Sequence, residues 1–207
     1  MSTLTTLRAT LRIDLHDEDA GAYRWTDAEL ERHLQRAVEE YQATAPVPTT
    51  KDLTALASTY AYALTGGDAI AGLLAIERVE YPQGETPPAF VPWQLEGTTL
   101  TLYLVNQPVT AGATIRVHAG IKHTVDGAGS TIPPEHEHIV LRGALGYACL
   151  ALANYSINRV NTSAEAEKQY TFTGRDALKQ FSYDLKDIRR ERTQRSPTTS
   201  TITGYEV

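Results

Sequence analysis

Four histidines, His118, His123, His136 and His138, fall close together in the chain, and neutral imidazole is the commonest protein ligand for zinc. Their spacing does not make a site. A helical ligand pair needs side chains four residues apart on one face, as in HExxH, whereas His136 and His138 are two apart at the start of a helix and diverge. Glu135 and Glu137 beside them suit the positive end of a helix dipole without any metal. Nucleophile chemistry has less support, because there is no GxSxG, no phosphate-loop GxxxxGK and no GxGxxG after a strand. The single thiol, Cys149, sits among small helical residues, where it reads as packing material. The acidic run Asp14, His16, Asp17, Glu18 and Asp19 lacks the alternating D-x-D-x-D-G spacing of a calcium loop and reads as a solvated turn. The expectation is a non-enzymatic chain with no catalytic residue, no metal and no cofactor. A small histidine-metal hydrolase is the reading from another class.

The clearest charge feature lies near the C-terminus. Lys186, Arg189, Arg190, Arg192 and Arg195 face only Asp187 and Glu191, a local excess of +3 in a chain whose net charge is -6. Cations at a helix C-terminus are worth only about 0.3–1 kcal/mol each, so a cluster this dense fits a docking element for an acidic partner or nucleic acid. It is followed by Thr201, Ile202, Thr203, Gly204 and Tyr205, a β-prone stretch with no core of its own that would gain order by pairing with a partner's sheet edge.

The elements that must carry these residues follow from periodicity. Leu4, Leu7, Leu11 and Leu15 form one helical stripe over residues 3–15, with Arg8 and Arg12 outside it. Thr26 and Glu29 make a capping box that opens a second helix burying Leu30, Leu34, Ala37, Val38 and Tyr41, and Pro46 and Pro48 stop it. Leu53, Leu56, Ala57, Tyr60 and Leu64 predict a third helix over about 51–64. The period then shifts toward two, with strands near 76–81, 90–95, 100–105 and 114–119 joined by connections so short that they must be antiparallel, a β meander. A helix over about 135–158 is rich in Gly and Ala and should be the most buried, and a last one over about 174–193 buries Leu178, Phe181, Leu185 and Ile188. The expected class is α+β, mainly α. One helical-bundle domain spans 1–195 with a β insertion at about 70–121, and residues 196–207 form a flexible C-terminal docking tail.

Composition bounds the function. The 207 residues, 42% hydrophobic and 21% charged, suffice for one core and are too few for two full-sized domains. A pI near 5.5 argues against a surface that grips phosphates all round. One cysteine permits no internal disulfide, no run approaches the ~18 apolar residues of a membrane helix, and the N-terminus lacks a secretory pattern, so the chain reads as intracellular and without a membrane partner.

Two stretches carry a resemblance. Arg24-Trp25-Thr26-Asp27-Ala28-Glu29-Leu30, after a leucine helix and an Asp-rich loop, is the first. The second runs from Arg116-Val117-His118-Ala119-Gly120-Ile121-Lys122-His123 through Ser130-Thr131-Ile132-Pro133 to Leu141-Arg142-Gly143-Ala144-Leu145-Gly146-Tyr147-Ala148. Their order and separation resemble the head-to-tail adaptor (connector) proteins of tailed bacteriophages. That resemblance implies a helical bundle assembled into a virion neck ring of about twelve copies, beneath the portal protein and above a stopper or tail protein. DNA would pass through the channel without specific binding. It also implies that the last helix and tail face the portal, which gives the docking set Lys186, Arg189, Arg190, Arg192, Arg195 and Thr201 to Tyr205. A stopper or tail terminator is the alternative within the neck.

Overall fold

The computed structural model describes residues 2–104, 108–156 and 164–195. Their order is α1 (Leu4–Asp14), α2 (Asp27–Thr44), β1 (Val47–Thr54), β2 (Ala61–Ala63), β3 (Leu73–Glu80), β4 (Phe90–Val91), β5 (Trp93–Glu96), β6 (Thr99–Leu102), β7 (Thr114–Ile121), α3 (Glu137–Ser156) and α4 (Ala164–Arg195). The class is α+β. The chain separates into a helical unit, made of residues up to Ala45 and from Thr124 onward, and a β unit over Pro46–His123.

In the helical unit α3 is the central element, lying against α1, α2 and α4. Its Val140, Ala144 and Ala148 are fully buried, as are Leu11 and Leu30 from the helices around it. Small residues set the spacing. A Cβ at Gly146 would stand 2.7 Å from Leu178 Cγ and 3.1 Å from the carbonyl oxygen of Gly174, and one at Gly174 would stand 3.0 Å from the carbonyl oxygen of Gly146. The two helix backbones therefore touch at this pair, which only residues without a side chain permit. A third glycine, Gly143, receives the ring of Phe181, which is 1% exposed. Helix α4 begins at Ala164, ten residues before the sequence pattern announces it, and Tyr170 of this early part packs against the helical core.

The β unit corrects the helix expected over 51–64. Residues Val47–Thr54 form a strand whose burial alternates, with Leu53 inward, and the buried set continues as Ala55, Tyr62 and Leu64. Leu56 and Tyr60, which complete the helical stripe on paper, are 60% and 40% exposed. What decides the matter is a distant partner: β7 pairs with β1 over eight residues, from Val47↔Ile121 to Thr54↔Thr114. All pairs are antiparallel, but the order is not a meander. The sheets run β1-β7-β3-β4 and β2-β6-β5, so the last strand lies between β1 and β3. Their shared core includes Val79, Leu100, Ile115 and Val117. Gly120 lies in β7 because a Cβ there would meet Pro46 Cγ at 2.5 Å.

The contact between Gly146 and Gly174 yields a test. Gly146→Val forces the two backbones apart and should lower stability by about 2 kcal/mol, within the ~1–3 kcal/mol usual for overpacking, read as a shift of the urea midpoint. Gly127→Ala, where nothing lies within 4 Å of the added Cβ, should leave the midpoint within ~0.5 kcal/mol of the parent.

Candidate docking surface

The residues of the Arg24 to Leu30 motif are organised by an arginine outside it. Arg12, in the last turn of α1, is 7% exposed, which corrects its place outside the buried stripe. Its Nη1 donates to Asp17 Oδ2 at 2.6 Å, and its Nη2 donates to Asp27 Oδ1 at 2.6 Å and to the carbonyl of Trp25 at 3.0 Å. The Tyr23 ring stacks on the guanidinium at 3.7 Å. Asp17 is 4% exposed, so it is no solvated turn residue: its Oδ1 also accepts from the Arg24 amide at 2.7 Å. Sequence reasoning missed both, and the available signal was an arginine and an aspartate five apart across a helix end.

Trp25, 3% exposed, carries the arrangement inward, with Nε1 donating to Ala148 O of α3 at 3.3 Å and its ring meeting Tyr170 of α4 edge-on. Arg24 donates to the Tyr170 hydroxyl. Thr26 then opens α2: its Oγ1 accepts from the Glu29 amide at 3.3 Å while Glu29 Oε2 accepts from the Thr26 amide at 2.8 Å. These bonds, the backbone one foremost, hold the Glu29 carboxyl below its usual range. The hydrogen bond from Arg12 does the same to Asp27.

The histidines are not gathered. His118 lies in β7, where its Nε2 stands 3.7 Å from Glu80 Oε2, too long for a hydrogen bond, and burial lowers its pKa. His123 follows that strand. His136 Nδ1 meets the Tyr41 hydroxyl at 2.6 Å, with burial pushing that phenol up to about 12, and His138 is exposed on the first turn of α3. Among the described residues no group of three or more His, Cys, Asp or Glu could hold a metal ion. Cys149 is buried, and burial raises its thiol to about 11, well above what a nucleophile requires.

The basic residues do share one place, the last turns of α4. Lys186, Arg189 and Arg190 are exposed there, and Arg190 Nη1 holds Asp187 at 3.3 Å. Arg192 is half-buried and donates from Nη1 to Thr44 O at 2.8 Å, so part of its work is to tie α4 to the end of α2. The side chain of Arg195 and the stretch Thr201, Ile202, Thr203, Gly204 and Tyr205 lie outside the described residues.

The family model for SU10 adaptor protein matches residues 2–201, nearly the whole chain. The chain belongs to the SU10 adaptor protein family. Family membership makes it a structural head-to-tail adaptor. Among solved structures, a chain from the neck of an empty GTA particle computed with C6 symmetry is similar at 16% identity, covering 79% of this chain and 87% of that one with a TM-score of 0.30. No curated protein matches. No helix of the described residues is long and apolar enough to cross a membrane.

Three outcomes follow from the motif geometry of this adaptor. Arg12→Met leaves Asp17 buried without its cation and should cost about 3–5 kcal/mol by urea unfolding; an unchanged midpoint would remove Arg12 from its central role. Thr26→Ala should cost about 0.5–2 kcal/mol. Because the Glu29 pKa is depressed in the fold, its contribution is complete above the ordinary carboxylate range and is lost as pH falls through the depressed value. Glu29→Gln should therefore flatten the acid limb of the stability profile.

Proposed function

We propose that this adaptor forms a dodecameric ring between the portal and a stopper or tail protein, with DNA passing through and no catalytic step of its own. The helical unit, with its β insertion, acts as one adaptor domain. The basic end of α4, Lys186, Arg189, Arg190, Arg192 and Arg195, together with Thr201 to Tyr205, is the portal-facing element. The observation that carries this reading is the exposure of Lys186, Arg189 and Arg190 on one end of a 32-residue helix whose opposite face is committed to the core.

Energetics support that use. An exposed ion pair such as Arg190 with Asp187 is worth only ~0.2–1 kcal/mol, so the guanidinium is free to exchange it for a partner's carboxylates. A net charge of -6 suits a conduit that must not hold its cargo, since like charge weakens phosphate binding. Main-chain pairing of the tail with an edge strand would add affinity, with Ile202 and Tyr205 seeking pockets on the partner.

Electron microscopy of particles, asking whether the chain forms a ring under the portal, tests the assembly. Deleting residues 197–207 tests the docking element. The melting transition should stay unchanged while attachment to portal-bearing heads is lost. Truncated protein that still completes infectious particles at normal yield would move the contact to the bundle surface.

A further inference from the structure

Of the surfaces that the helical unit leaves outside its core, two differ in sign. On α4, Phe172 is 75% exposed and Tyr183 47%, two large rings about three turns apart and so on one side of the helix. Cations surround them. Lys179 and Lys186 lie 5.9 and 5.4 Å from the Tyr183 ring centroid, and Arg175 is exposed as well. Asp184, which would offset them, is taken by Arg142 of α3. Asp176 and Asp187 remain as exposed acids in this part of the helix, and Arg190 holds Asp187.

The second face is the end of α1 and the turn after it. Ile13 is 55% exposed, and Asp14, Glu18 and Asp19 are exposed without an ion pair among the described residues. Arg12, the cation nearest in sequence, is already consumed by Asp17 and Asp27. Helices α1 and α4 each pack on α3, and the segment after α1 reaches α4 at Tyr170, two residues before Phe172.

We infer that these faces are the two halves of a contact between neighbouring copies, the outer face of α4 in one copy seating the Ile13 to Asp19 corner of the next. This rests on the ring reading above and names the surfaces that would build it. One chain carrying both a cationic aromatic face and an anionic aliphatic one supplies its own partner. Two unlike patches meeting head to tail propagate in one direction and close into a ring when the rotation permits. Apolar groups at the centre supply area, while the opposed charges set register and reject a face meeting its own kind.

Charge reversal on the full chain separates this contact from the portal element, because Arg175 and Lys179 are not part of that element. One variant carries Arg175→Glu with Lys179→Glu, the other Asp14→Lys with Glu18→Lys. Analytical ultracentrifugation at rising concentration should show wild-type self-association and two variants that remain monomers with unchanged melting. An equimolar mixture of the two should assemble again, since each reversed face then meets its complement. If either reversal lowers melting, Lys179→Gln and Glu18→Gln take its place, and each should weaken association about tenfold. Assembly of either reversed variant at wild-type strength overturns the contact, and so does a mixture that stays monomeric. A wild-type chain monomeric at millimolar concentration also overturns it, whereas a ring seen under the portal would still uphold the adaptor reading.

Discussion

A guanidinium buried between two carboxylates holds the helical unit together. Taking an ion out of water costs several kcal/mol, so such a group persists only where it is paired and hydrogen-bonded. Arg12 commits three of its five N–H groups to Asp17, Asp27 and the carbonyl of Trp25, and the Tyr23 ring covers its face. Each partner belongs to the segment between α1 and α2 or to the first turn of α2. Closing the arginine therefore fixes the path of that segment, and the path delivers the Trp25 indole to α3 and the Thr26 hydroxyl to the α2 amides. One charge thus sets the entry of one helix and the seating of another.

Glycine does for the other side of α3 what Arg12 does for the first. Each glycine in a helix costs ~1 kcal/mol of propensity, and the return is backbone contact between α3 and α4 at Gly146 and Gly174. Close approach turns the seam into a register: Leu178 fills the space over Gly146, and Phe181 that over Gly143. A helix held this way need not be apolar all round. That leaves α4 free to present cations and rings on its outer side.

What the sequence disclosed was whatever depended on near neighbours. The leucine stripe of α1, the Thr26 to Glu29 capping box and the small-residue face of α3 are all settled within a few turns, and each stands where periodicity or capping rules put it. The error over 51–64 arose because Leu53, Leu56, Ala57, Tyr60 and Leu64 satisfy the helical spacing by coincidence. The true partner of β1 is β7, far along the chain, and no local pattern announces it. Arg12 and Asp17 failed for a related reason, since a charge reads as solvated until its complement is known. Among the site residues, the basic cluster was legible as a charge excess at a helix end, but the bond from Arg192 to Thr44 was not, because it depends on where α2 stops.

The division between consumed and available residues says where recognition must reside. Trp25, Leu30, Ala144 and Ala148, which carry much of the family resemblance, are at most 3% exposed, and the cation that orders the motif is buried with them. Side chains without surface cannot touch a neighbour, so these four residues serve the bundle and not its contacts. A head-to-tail adaptor must nevertheless meet unlike neighbours on different sides. The groups open to that task are among those the core did not absorb, which include Ile13, Phe172, Tyr183 and the charges around them. Two members with the same buried residues can thus share a bundle and still differ on the exposed residues, which the packing of the core does not dictate.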